Sequence, residues 1–205
     1  AKYNLHYAGY TPIGAEPTIS KVPLRKLEDF KGIKIRTPAG LTAMLFTKLG
    51  ASPVPIPGGE IYTALDTGVI NAAEFVTLSE NLGVGLHEVS KYVLYPSFHG
   101  PIAVVNWGVH MDTWKKLPDD LKVAFEMMVY EADYLYDIMS AAADQDALKK
   151  MIAKGLEHTR LSAADMERAK KLSMEVALEY KKKSPLSDKV ITSIIDYLKA
   201  TEKLK

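Results

Sequence analysis

A chain of 205 residues, 47% hydrophobic and 25% charged, lies in the globular range and is long enough for one large or two small domains around a buried core. Its 26 basic and 25 acidic residues leave a formal net charge of +1, and the one basic block is Lys181-Lys182-Lys183, so nucleic acid and membrane surfaces meet no electrostatic footprint. The absence of cysteine excludes thiol catalysis, cysteine–zinc sites and disulfides, and no apolar run approaches the roughly 18 residues of a membrane span.

In chain order, Tyr3 to Tyr10 alternates weakly and is aromatic-rich, which predicts a strand; Gly9 and Pro12-Ile13-Gly14 then predict a loop. Lys26 to Lys31 reads as one helical turn closed by Gly32. Ile33 to Arg36 is a short buried strand cut off by Thr37-Pro38, because proline has no N–H to continue a ladder. Leu41, Met44, Leu45 and Leu49 fall at helical spacing, with Gly50 as the stop. Val54 to Pro57 is a strand interrupted by prolines. Pro57-Gly58-Gly59 opens a helix whose apolar face is Ile61, Ala64 and Leu65 and whose end is Gly68. Strands are expected at Val69 to Phe75, Tyr92 to Tyr95 and Ile102 to Val109, with irregular chain across Pro96 to Pro101.

From Pro118 the pattern is helical to about Lys154. Proline suits the first helical position, and Asp119 and Asp120 complement the positive helix end. Val123, Met127, Tyr130, Tyr134 and Ile138 give this helix one long apolar face, so it is expected to cross more than one packing layer. Leu156 to Leu161 reads as a last strand. Ser162-Ala163-Ala164-Asp165 matches a capping box opening a helix to about Lys183, and Ser184-Pro185 separates it from a final helix. Strands alternating with helices, then mostly helix, place the chain in the α/β class with a mostly parallel sheet.

Candidate chemistry gathers at strand ends. In an open α/β sheet, ligands collect outside the carboxyl ends of the strands. Arg36 there offers paired donors to a carboxylate, or else forms a structural ion pair. Glu74, followed by Phe75 at another strand end, is either a paired or exposed carboxylate or one side of a site where a bridging cation holds an organic anion. Tyr95, Phe98, Trp107 and Trp114 are core or ligand wall, and His99, among turn residues, is a pocket candidate. The five histidines show no HExxH spacing, no serine sits in a GxSxG elbow and no glycine-rich phosphate loop follows a strand.

LEDFKGIKIRTP, LGASPVPIPGGEIYTALDTGVINAAEF and NWGVHMDTWKKLPDDLKVAFE together resemble the periplasmic solute receptors of TRAP transporters, the DctP family. The resemblance runs from about Tyr7 to the C-terminus. It implies a two-lobed periplasmic-binding-protein-like α/β fold with a long connecting helix, here lacking most of the N-terminal lobe. In that division, residues 1–10 are a hinge strand, 11–101 the ligand-binding lobe, 102–141 a segment of the N-terminal lobe with the start of the long helix, and 142–205 helices returning to the C-terminal lobe. It also implies closure on a small organic acid and delivery to TRAP membrane permease subunits. Arg36 stands where the family's arginine pairs with the ligand carboxylate. The chain looks most like the branch that binds 2-oxo or 2-hydroxy monocarboxylates with a sodium or calcium ion. There Glu74-Phe75 matches an acid-aromatic pair giving the cation a side-chain oxygen and the Phe75 carbonyl, with phenylalanine in place of the usual tryptophan. Glu16 stands near the branch's early-loop glutamine. The residues and the resemblance together give a candidate binding set of Glu16, Arg36, Glu74, Phe75, Phe98 and His99, and the resemblance puts Glu74 and Phe75 on the metal and the protein in the periplasm. Beginning at Ala1 rather than Met, the chain is expected to be a processed or cut product whose preceding part carried the signal segment. The rival reading is a small α/β enzyme acting on an organic acid through Glu60, Glu74 and His99.

Overall fold

The computed structural model describes residues 3–203, apart from the side chains of 137 and 138. Its strands are β1 (Leu5–Ile13), β2 (Thr18–Ser20), β3 (Lys34–Arg36), β4 (Ser52–Val54), β5 (Ala72–Glu74), β6 (Tyr92–Leu94), β7 (Ala103–His110) and β8 (Glu157–Thr159). Its helices are α1 (Leu41–Lys48), α2 (Ile61–Asp66), α3 (Leu78–Gly83), α4 (Met111–Lys116), α5 (Asp119–Ala153), α6 (Ala163–Lys181) and α7 (Pro185–Ala200). Six strands form one sheet in the order β4-β3-β5-β2-β6-β8, and β1 pairs antiparallel with β7 as a separate ribbon. Three of the five pairings in the large sheet are parallel, and β2 runs antiparallel between β5 and β6.

Helices cover both faces of this sheet, and each face contributes apolar residues to a core beneath its helices. Alternation along each strand divides the core. Ile19, Ala73 and Val93 pack with α2, Leu78 of α3 and the end of α5. Ile35, Ala72 and Leu94 pack with Phe30, Phe46 of α1, and Ala169 and Val176 of α6. Lys48 pairs with Glu179 at 2.6 Å, tying α1 to α6 across the surface.

The long helix forms as expected: α5 runs unbroken for 35 residues, with Pro118 at its N-cap, and Gly155 in a left-handed conformation (φ +100) follows its end. Its expected apolar face is nevertheless uncovered. Val123, Met127 and Tyr134 are exposed and Tyr130 is 81% exposed; the side chain of Ile138 lies outside the described residues. Among the described residues, the apolar side chains that α5 buries are Val129 and, near its C-terminus, Ala147, Leu148 and Met151. Among the described residues, it is that last part that enters the core of the six-stranded sheet, while α5 also runs along β1.

Three elements were not expected. β2 is three residues of threonine, isoleucine and serine, too short to show a period; α3 and α4 have six residues each. β1 also runs through Pro12 and Ile13, where a loop was predicted, because each strand of a two-stranded ribbon has a free edge on which proline is tolerated.

Candidate functional site

Arg36 ends β3 and Glu74 ends β5, and these strands are parallel neighbours, so both residues leave the sheet at one edge. Thr18 opens the antiparallel β2 opposite Glu74 and Leu94 and therefore stands at the same edge. The segment after β6 supplies His99, and the loop after β1 supplies Glu16, whose backbone N–H donates to the Gly100 carbonyl at 3.0 Å. Gly100 has a packing reason to lack a side chain, since a Cβ there would lie 3.2 Å from Glu16 Oε2.

The Arg36 guanidinium is half-buried and held in place. Its Nε donates to the Ile56 carbonyl at 2.9 Å and its Nη1 to the Glu74 carbonyl at 2.8 Å. Its carbon lies 5.1 Å from the centre of the Phe75 ring, within cation–π range. Gly58 makes room for that ring: a Cβ there would meet Phe75 at 3.0 Å. The ion-pair alternative for Arg36 is not what forms; it meets main-chain oxygens, and no carboxylate pairs with it among the described residues. A guanidinium has five donors, and these bonds engage two of them.

Glu74 is 1% exposed, and its Oε1 accepts the Thr37 hydroxyl at 2.9 Å. Glu16, Glu74 and His99 each present a ligand atom, all within 4.8 Å of one another. Burial first, then the Glu74 charge and a hydrogen bond to Glu74, pushes the Glu16 carboxyl up to about 8, while Arg36 and Glu80 pull in opposite directions. Without a cation Glu16 thus keeps its proton at neutral pH. Burial pushes His99 down to about 3, keeping the imidazole neutral. His99 Nε2 lies 3.0 Å from Thr18 Oγ1, and its Nδ1 is sealed from solvent without a hydrogen-bond partner. Two carboxylates and an unsatisfied neutral imidazole are a donor set that fits a cation.

Three further candidates have surroundings of their own. Phe98 is a core residue, 8% exposed, against Phe30 and Phe46 at ring separations of 5.4 and 6.1 Å; it supports the His99 ring edge-on at 5.2 Å. The Phe75 carbonyl accepts the Asn81 side-chain amide, so one of its two lone pairs is already taken. Glu60 is exposed and outside the cluster.

Asn81 was not anticipated. Its two Nδ2 N–H groups are shared among the Phe75 carbonyl and the carbonyls of Val76, at 3.3 Å, and Thr77, at 2.7 Å, clamping the turn after Glu74. Val76 sits there at φ +23, a strained position for a β-branched residue. Asn81→Ala is expected to lower stability by about 1–2 kcal/mol, because buried carbonyls lose their donor; a denaturant melt checks it, and an unchanged midpoint contradicts the clamp.

Beside the cluster is a cavity of about 780 Å³, lined by Gly14 and Ala15, by Tyr95 and Ile102, and by Tyr134 and Asp144 of α5. Tyr136, on the same helix, is pushed up to about 12 by burial and by hydrogen bonding to Glu80.

The model of the bacterial extracellular solute-binding proteins, family 7 (DctP), matches residues 1–183. A monocarboxylate 2-oxoacid-binding periplasmic protein from Nostoc is 31% identical over 156 residues, covering 76% of this chain and 43% of its own. A TRAP periplasmic solute-binding protein from Colwellia psychrerythraea with bound calcium and pyruvate superposes at TM-score 0.83 and 26% identity, over 98% of this chain and 62% of that one. One from Pseudoalteromonas atlantica with bound sodium and pyruvate gives 0.84 and 25%, over the same shares. The chain therefore spans less than half of the Nostoc relative and somewhat under two thirds of the two solved structures. With the family model matching nearly its whole length, this chain belongs to the DctP family of bacterial extracellular solute-binding proteins.

Proposed function

We propose that the protein is the periplasmic solute-binding subunit of a TRAP-type uptake system, capturing a small organic acid of the 2-oxo or 2-hydroxy monocarboxylate class and handing it to membrane permease subunits without catalysis. The observation that carries this reading is Arg36: a guanidinium fixed by two carbonyls at the carboxyl edge of the sheet, with donors to spare and no carboxylate partner among the described residues. A solute carboxylate completes that arrangement. Beside it, Glu74 and Glu16 would hold a sodium or calcium ion, with the second lone pair of the Phe75 carbonyl able to join; when bound, the ion offsets the repulsion between these carboxylates and the anionic solute. The 2-oxoacid name of the Nostoc relative and the pyruvate in the two solved structures support the solute class.

The uncovered parts fit the same reading. Exposed Tyr7, Val104, Met127 and Tyr130 on the β1–β7 ribbon and α5 form an apolar surface of the kind another layer covers, and a full receptor has a further third of its fold to supply. Residues 102–141 then belong to the other lobe, and residues 11–101 with 142–205 to the lobe that carries Arg36.

Calorimetry with pyruvate and related 2-oxo and 2-hydroxy acids on the receptor in its full natural length tests the proposal. Stoichiometric binding without turnover is expected. Conversion of the acid, or no binding of any carboxylate, overturns it.

A further inference from the structure

We infer that the cation of this crevice is divalent and is held by the carboxylates of Glu16 and Glu74 and a ring nitrogen of His99, which makes the site prefer manganese- or zinc-like ions to sodium. This inference rests on the solute-binding reading above and departs from it in the ion.

Charge supports the valence. Glu16 and Glu74, both ionised around a metal, together outweigh Arg36 by one negative charge, and a monoanionic solute adds another. A divalent ion neutralises both, whereas sodium leaves one uncompensated charge in a buried site, where the interaction is screened least. A neutral early-loop residue would not create this demand; the second carboxylate of this chain, Glu16, does.

The donor type supports the class of ion. One ring nitrogen of His99 lies within 4.8 Å of carboxylate oxygens of both glutamates. The Nδ1 is enclosed and makes no hydrogen bond, while Nε2 lies 3.0 Å from the Thr18 hydroxyl. A buried polar atom left unsatisfied is unfavourable. A neutral imidazole keeps a lone pair on one ring nitrogen for a metal, and a hydrogen bond made by the other fixes the tautomer. Imidazole nitrogen with two carboxylates suits manganese, iron or zinc; sodium and calcium take oxygen donors.

The test uses the full-length receptor stripped with chelator and titrated with manganese, calcium or sodium chloride alone. Manganese is expected to bind one-to-one at least tenfold more tightly than sodium, and its electron spin-echo spectrum is expected to show coupling to one imidazole nitrogen. Glu16→Gln is expected to lower the manganese-to-sodium affinity ratio at least tenfold, and His99→Gln to abolish the nitrogen coupling. Sodium binding as tightly as manganese, or bound manganese without nitrogen coupling, overturns the inference. The wild-type spectrum and affinities alone decide if either variant fails to fold. Full solute binding in sodium with chelator present also defeats the divalent site while leaving the receptor reading intact, whereas failure to bind the acid in any ion defeats that reading and leaves the metal titration to speak for the site.

Discussion

Arg36→Lys is expected to weaken binding of a carboxylate solute by about 1.5–3 kcal/mol, roughly ten- to a hundredfold, the range for a charge-assisted hydrogen bond. The guanidinium does two things at once here. Its Nε and Nη1 are fastened to the Ile56 and Glu74 carbonyls, which fixes the plane of the group, and its other N–H groups then face a solute in a set geometry. A lysine ammonium retains the charge, but its three donors sit on a single atom, so it cannot hold both carbonyls and still offer a planar pair to a carboxylate. It also gives up the stacking of guanidinium on Phe75. Calorimetry on the full-length receptor, with a melt to confirm that the variant folds, checks this. Unchanged affinity would remove Arg36 as the anchor.

The parts of this architecture that a reader of the sequence can see are those with a period or a stop signal. α5 is legible because no glycine or proline interrupts its 35 residues and Pro118 and Gly155 mark its limits. β3 is legible because Thr37-Pro38 ends it. That Arg36 and Glu74 share an edge follows once both are placed at ends of parallel strands, although their adjacency depends on strand order, which local sequence does not encode. β2 stays hidden: its three residues are buried because β5 and β6 flank it, not because its composition is apolar. The same holds for Thr18, Thr37 and Asn81. Each is an ordinary polar residue whose role arises from a partner 4 to 81 positions away. The uncovered face of α5 shows the converse limit, since an apolar stripe marks a surface made for burial but not what covers it.

In the absence of a cation, the contribution of Glu16 to stability is expected to fall as pH rises from about 4.5 towards 8, while His99, which burial holds down to about 3, acts in the opposite sense below about 6.5. The ordinary value of Glu16 is 4.5, and in the fold it is pushed up to about 8, by burial first and by Glu74 second. Between those values the folded state holds a proton that the unfolded chain has released. The unfolded chain therefore binds fewer protons at this group, and its contribution to the free energy of unfolding declines with increasing pH across this window. Below about 4.5 the contribution is fully present; above about 8 it is lost, and two ionised carboxylates face each other in a buried site. Because Glu16 is partly exposed, solvent screening reduces the effect, and the melting-temperature difference between wild type and Glu16→Gln is expected to change by on the order of 5 °C between pH 5 and pH 9, the shift that about 2 kcal/mol produces in a chain of this size. Glu16→Gln is neutral throughout and should remove that part of the slope, so the variant is the more stable protein at pH 9 in chelator. Added divalent cation should reverse the order there, since the wild type gains a ligand that the variant binds weakly. Parallel pH profiles for the two proteins in chelator would show that Glu16 ionises normally.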